Sequence, residues 1–134
     1  MAKGQVERII AELELKAGTD IGKFQLRLWQ VLASATPVDT GFARSGWTPS
    51  VGSRIVDALR PPADVEAAKS AASKRLSKNS AAALKIAQSY RLQSGKVFIT
   101  NATPYIVRLN DGYSAQAGKK FVERAIVTTV GSFQ

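Results

Sequence analysis

Apolar residues recur at helical spacing through the first quarter of the chain. Val6, Ile9, Ile10 and Leu13 form one stripe between Gln5 and Lys16, and Ile21, Phe24, Leu28, Val31, Leu32 and Ala35 form a second. Gly18 stands between them, and Thr19 or Asp20 can cap a new helix. The spacing therefore predicts helix over 4–36, as one kinked element or as two. Leu26 and Trp29 add apolar surface off the main face, which fits either a broad core contact or a second buried surface against a neighbouring subunit. Pro37 removes a donor and stops the helix. Asp39-Thr40-Gly41 then has turn chemistry, so Pro37, Asp39 and Gly41 form a structural corner. From 43 to 52 the pattern is extended, with Trp47 and Val51 on one face, and Pro49 makes that strand an edge or a bulged one.

Arg60-Pro61-Pro62 marks the next boundary. Over 63–93 the chain is Ala-rich, with Asp64 as a cap and Val65, Ala68, Ala72 and Leu76 at weak helical spacing. "SKNS" breaks the pattern, and Asn79 or Ser80 can cap a further helix. Small alanines among lysines predict an exposed, thinly packed insertion, or a segment that orders only on assembly. The period then shortens: "KVFIT" and "YIVRL" alternate as strands, which with the "NATP" turn predicts a hairpin over 95–110. The C-terminal element, 118–130, fits a helix through Phe121, Val122, Ala125, Ile126 and Val130, although "AIVTTV" is β-branched enough for a strand. The preferred assignment is helix. The elements sum to a single α+β domain: an N-terminal helix, a small antiparallel sheet, an Ala-rich helical insertion and a C-terminal helix.

Composition narrows the chemistry. The 134 residues contain no cysteine and no histidine, which removes disulfides, thiolate nucleophiles, Cys/His metal sites and imidazole-dependent triads. No apolar run is long enough to span a bilayer. The net charge of +9 is lopsided. Acids and bases balance up to Glu66, whereas no acid at all occurs between Glu66 and Asp111. That interval holds Lys69, Lys74, Arg75, Lys78, Lys85 and Arg91, candidate contacts for DNA or an acidic partner. A solvated, solubilising face is the plainer reading of the same charge.

Asp39-Thr40-Gly41 also matches the aspartic-protease tripeptide. Such a site needs two carboxylates sharing a proton, each reached by an apolar strand. Here a helix and Pro37 lead in, and Arg44 five residues on favours full ionisation. Ser94-Gly95-Lys96 lacks the leading glycine of a phosphate loop, and Lys96 opens a strand rather than a helix. No cofactor or metal is expected, and no enzyme. The basic half carries Tyr90, Phe98, Tyr105, Tyr113 and Phe121, aromatics able to stack on bases. No helix-turn-helix, RNP or zinc pattern accompanies them, so a small, non-sequence-specific nucleic-acid-binding protein is the alternative reading.

Two segments together suggest a family. "TPVDTGFARSGWTPSVG" (36–52) and "GKVFITNATPYIVRLNDGYSAQAGKKFVERAI" (95–126) resemble the tail-completion, or head–tail joining, proteins of long-tailed bacteriophages. The matching positions are Pro37, Val38, Asp39, Thr40, Gly41, Arg44 and Trp47, then Asn101, Pro104, Tyr105, Arg108, Leu109, Gly112, Tyr113, Ser114, Gln116 and Ala117. Asn110 replaces the family's usual acid, Gly118 its usual proline, and Pro49 a strand residue. The resemblance implies a structural virion protein that forms a hexameric ring in the neck. Its partners would be the head connector and the tail-terminator or tail-tube proteins, with DNA passing through the channel. It implies no membrane contact, and a location in the host cytoplasm during assembly. Whether the basic insertion lines the lumen or packs outside stays open.

Overall fold

The computed structural model describes residues 3–37, 41–55, 60–112 and 120–133. In chain order the elements are α1 (Lys3–Ala35), α2 (Phe42–Ser45), β1 (Thr48–Val51), α3 (Val65–Ser89), a 3-10 turn (Leu92–Ser94), β2 (Val97–Thr100), α4 (Ile106–Asn110) and α5 (Phe121–Ser132). Helices dominate, and β1 and β2 make a two-stranded antiparallel sheet, so the fold is α+β.

α1 is a single helix of 33 residues, and Gly18 does not interrupt it. Thr19 and Asp20 cap nothing. The Thr19 hydroxyl donates to the Leu15 carbonyl, and Asp20 pairs with Lys16 one turn back. Gly22 serves packing instead, and at Gly18 an added Cβ would make only ordinary contact. A Cβ built on Gly18 would stand 3.4 Å from Arg91 Cα, and one on Gly22 would stand 3.0 Å from the Ile86 carbonyl oxygen and 3.1 Å from Ala87 Cα. At this crossing α3 lies directly on the backbone of α1. Gln25 fastens the contact, its buried amide donating to the Ala83 carbonyl at 2.5 Å.

The deepest face of α1 therefore runs through Gly18, Gly22, Gln25, Trp29, Leu32 and Ala33. The stripe of Phe24, Leu28 and Val31 is only half-buried, and α5 lies along it, with Phe24 meeting Phe133 edge to face at 5.3 Å. Trp29, which the periodicity leaves off the main face, belongs to the core with Trp47, Ala83, Phe121 and Ala125.

α3 also departs from expectation. Asp64 caps it by accepting from the Ala67 N–H at 2.8 Å, but "SKNS" does not break it. Asn79 is buried in mid-helix and donates to the Ser45 carbonyl at 2.9 Å. That long-range bond offsets the modest helix propensity of asparagine. Nor is α3 a peripheral insertion. Ala68, Ala72 and Ala83 are buried, and small side chains are what a close helix crossing requires.

The corner and the sheet differ too. Gly41 adopts φ +84, where glycine alone is unstrained, and leads into the short helix α2 rather than a strand. Only Thr48–Val51 of the expected 43–52 strand is extended. The Trp47 indole N–H donates to Thr36 Oγ1 at 2.7 Å, the Trp29 indole N–H donates to the Trp47 carbonyl, and an Arg44 N–H reaches the Ser34 and Thr36 carbonyls at the end of α1. Asp39, Val38 and Thr40 lie outside the described residues, as do the later matching positions Tyr113, Ser114, Gln116 and Ala117 and the divergent Gly118.

The hairpin over 95–110 does not form. β2 pairs with β1, Thr48 opposite Thr100 and Val51 opposite Val97, and Tyr105–Leu109 turns into α4. The cause is Asn101. Its amide donates to the Ala43 carbonyl and its oxygen accepts from the Thr103 N–H, pinning the turn to the corner, while Pro104 has no N–H for a ladder. Gly46 admits this contact, since a Cβ there would lie 2.6 Å from Thr103 Oγ1. The Gly52 N–H donates to the Lys96 carbonyl. Counting back along the ladder puts Pro49 at a non-hydrogen-bonded position, so its missing donor costs nothing. The C-terminal element is a helix, as preferred. Asn110 clasps its start, accepting from the Val122 N–H and donating to Glu123.

Two substitutions test this packing by urea or thermal unfolding. Gly22→Val pushes a branched side chain into the backbone of α3 and should lower stability by about 1–3 kcal/mol. Asn79→Ala orphans the buried Ser45 carbonyl and should cost about 1–3 kcal/mol despite the better helix former. A fully stable Asn79→Ala protein would show that the cross-link to α2 is dispensable.

A basic helix face as the candidate functional site

Because α3 is continuous, its lysines acquire a fixed arrangement. At about 100° per residue, Lys74, Lys78 and Lys85 fall within roughly 40° of one another, on the side away from Ala72, Asn79 and Ala83. All three are exposed. Lys69 lies on a different flank and reaches Glu66 at 3.8 Å, an exposed pair that contributes little. Arg91 is elsewhere, in a shallow recess with Ala11, Glu14, Leu15 and Gln93 against α1, where Gln93 donates to Glu14. The six candidate cations therefore divide: Lys74, Lys78 and Lys85 share one side of α3, Arg75 stands on the flank beside Lys78, towards α2, and Lys69 and Arg91 do not join them.

Arg75 differs in kind from the lysines. Its guanidinium sits 4.3 Å from the centre of the Phe42 ring, a cation–π contact. Its Nη1 is buried with no hydrogen-bond acceptor among the described residues, and desolvation holds its pKa below the ordinary arginine value. Arg75 and Lys78 also line a pocket of about 320 Å³ between α3 and the outer side of the sheet, with Thr48, Pro49, Ile55 and Ala82 among its walls. Among its described lining residues apolar surface predominates, and the charged members are these two cations. Nothing in the sequence marks the Arg75–Phe42 stack, which depends on α2 meeting α3.

The aromatic residues do not assemble beside the lysines. Phe121 is in the core, the Tyr90 hydroxyl donates to the Gly95 carbonyl, and Tyr105 precedes α4. Phe98 is half-buried in β2, and Tyr113 lies outside the described residues. A base-stacking platform is thus not built on this face. Among the described residues no three Asp or Glu side chains converge as a metal site would need, and no helix is long and apolar enough to cross a membrane.

The site offers exposed point charges for phosphates or carboxylates, and one oriented guanidinium beside an apolar pocket. An unpaired, partly buried charge is a poor stabiliser. Arg75→Met keeps the aliphatic stem over Phe42, so chemical denaturation should find it within about 1 kcal/mol of the parent, or more stable. A larger loss would give the charge a structural purpose. The chain matches no protein-family model, no curated protein and no solved structure.

Proposed function

We propose that this chain is a non-catalytic structural subunit of a long-tailed bacteriophage virion: a tail-completion protein that forms a ring, a hexamer on the resemblance, between the capsid connector and the tail. One observation carries the reading. The first thirteen described helical residues after Lys3, 4–16, are all exposed, although they bear a continuous apolar stripe. At about 1.5 Å per residue they form an arm roughly 20 Å long; its own subunit meets it at Glu14, which accepts from Gln93, while its apolar stripe stays exposed. An isolated protein gains nothing by exposing Ile9, Ile10 and Leu13, whereas a subunit covers them on assembly. The two segments that carry the family resemblance also interlock, through Asn101 on Ala43 and through the seat at Gly46. In this reading the lysine face meets DNA in the channel or acidic surfaces of adjoining head-connector and tail proteins.

The lysine face favours a second reading, a small basic protein that binds nucleic acid without sequence preference. The purified protein separates the two. Light scattering and negative-stain images, alone and with phage tails lacking this chain, should show rings or tail-bound protein. Lys74→Gln/Lys78→Gln/Lys85→Gln should then lower the yield of infectious particles while leaving the fold intact. A monomer that ignores tails but binds duplex DNA tightly would favour the second reading. There the triple substitution should reduce the slope of log affinity against log salt by about 2–3.

A further inference from the structure

We infer that the α1 arm of one copy docks on a second copy of this chain, in the pocket beside α3 where Arg75 and Lys78 stand. The inference rests on the reading of the chain as a subunit of a homo-oligomer, and it specifies the contact. The arm, 4–16, is apolar along one face and carries three glutamates against Arg8 and Lys16, and Lys16 is paired with Asp20. Val6, Ile9, Ile10 and Leu13 are between 42% and 62% exposed, so the arm's own subunit is not the occupant that covers them. Glu14 already accepts from Gln93. Glu7 and Glu12 flank the stripe on its two sides and are exposed.

The pocket beside α3 is the chemical complement of that arm. Pro49, Ile55, Ala82 and Ala102 give it apolar walls, and its volume of about 320 Å³ suits one or two aliphatic side chains. Lys78 gives it an exposed cation, and Arg75 a second, partly desolvated one. An apolar side chain in the pocket with a glutamate on the cations satisfies both partners. A phosphate backbone would pair with the cations and leave the apolar walls wet. Another apolar groove, where Ile21, Phe24 and Leu28 of α1 face Ile126 of α5, has no charged residue among its described lining. An arm placed there would leave its glutamates without partners. Arm and pocket are different surfaces, so each copy gives one and receives the other. That heterologous contact propagates from copy to copy and closes a ring when the rotation allows.

The absence of cysteine makes cross-linking clean. Chains carrying Leu13→Cys are mixed with chains carrying Ala82→Cys and treated with a flexible bis-maleimide, whose reach tolerates a shift of one helical turn. Mixed dimers joined through Leu13→Cys and Ala82→Cys are expected. Glu7→Lys/Glu12→Lys in the arm should cut the mixed product roughly threefold to tenfold, the scale of two partly exposed ion pairs. Lys78→Glu in the receiving chain should restore it. Dimers of Leu13→Cys with itself, in place of mixed ones, would mean that arms pair with arms, and would overturn the inference. Rings that persist without the mixed product would overturn this contact and leave the subunit reading standing. No ring, no tail binding and no mixed product would overturn both.

Discussion

The crossing of α1 over α3 is the constraint from which the rest of the structure follows. Helices ordinarily pack 8–10 Å apart because side chains intervene. At Gly22 there is no side chain, and α3 rests on bare backbone. Such closeness leaves no room for error in register, and Gln25 fixes that register by bonding across to Ala83. With α3 held there, Asn79, one turn before Ala83 on the same face, is placed to reach Ser45, and α2 is fastened farther along that face of α3. α2 in turn places Ala43 where Asn101 can bond to it, which directs β2 onto β1. A chain of polar contacts, each between side chain and backbone, thus relays one helix crossing into the position of the sheet.

The relay also explains which elements were legible in the sequence. Helical periodicity, the Asp64 cap and the C-terminal helix depend on residues within a turn or two, and they formed as local rules predict. The hairpin failed because its decisive residue, Asn101, acts on a carbonyl 58 positions away. The break at "SKNS" failed for the same reason, since Asn79 is satisfied from α2 rather than by starting a new helix. Gly18 shows the ambiguity most plainly. A glycine in a helical pattern marks a stop or a close approach, and only the partner decides between them. The lysine face was legible conditionally: Lys74, Lys78 and Lys85 align once α3 is known to be continuous. Arg75 was counted with them from charge alone, and its separate character comes from Phe42, a contact that no spacing announces.

These cations divide by chemistry as well as by place. Lysines on flexible stems are strongly hydrated point charges, suited to surfaces whose geometry is not fixed in advance. A guanidinium held against an aromatic ring is oriented and partly desolvated, so it can discriminate among carboxylates by direction. The proposed role, contact with a polyanion and with a fixed neighbour, would draw on both kinds. The fold supplies them side by side on α3, the exposed lysines outward and Arg75 at the mouth of an apolar pocket.

The arm gives this division a direction. Its length follows from α1 continuing as helix past the point where α3 and α5 stop covering it, and a free helix of that size is marginal in water. It persists because it is continuous with a packed helix, so nucleation has already occurred in the body of the subunit. On the proposed reading as a ring subunit, the glycine that brings α3 close and the exposed leucine and isoleucines beyond it serve one arrangement: a packed body with an apolar helical projection left for a neighbour.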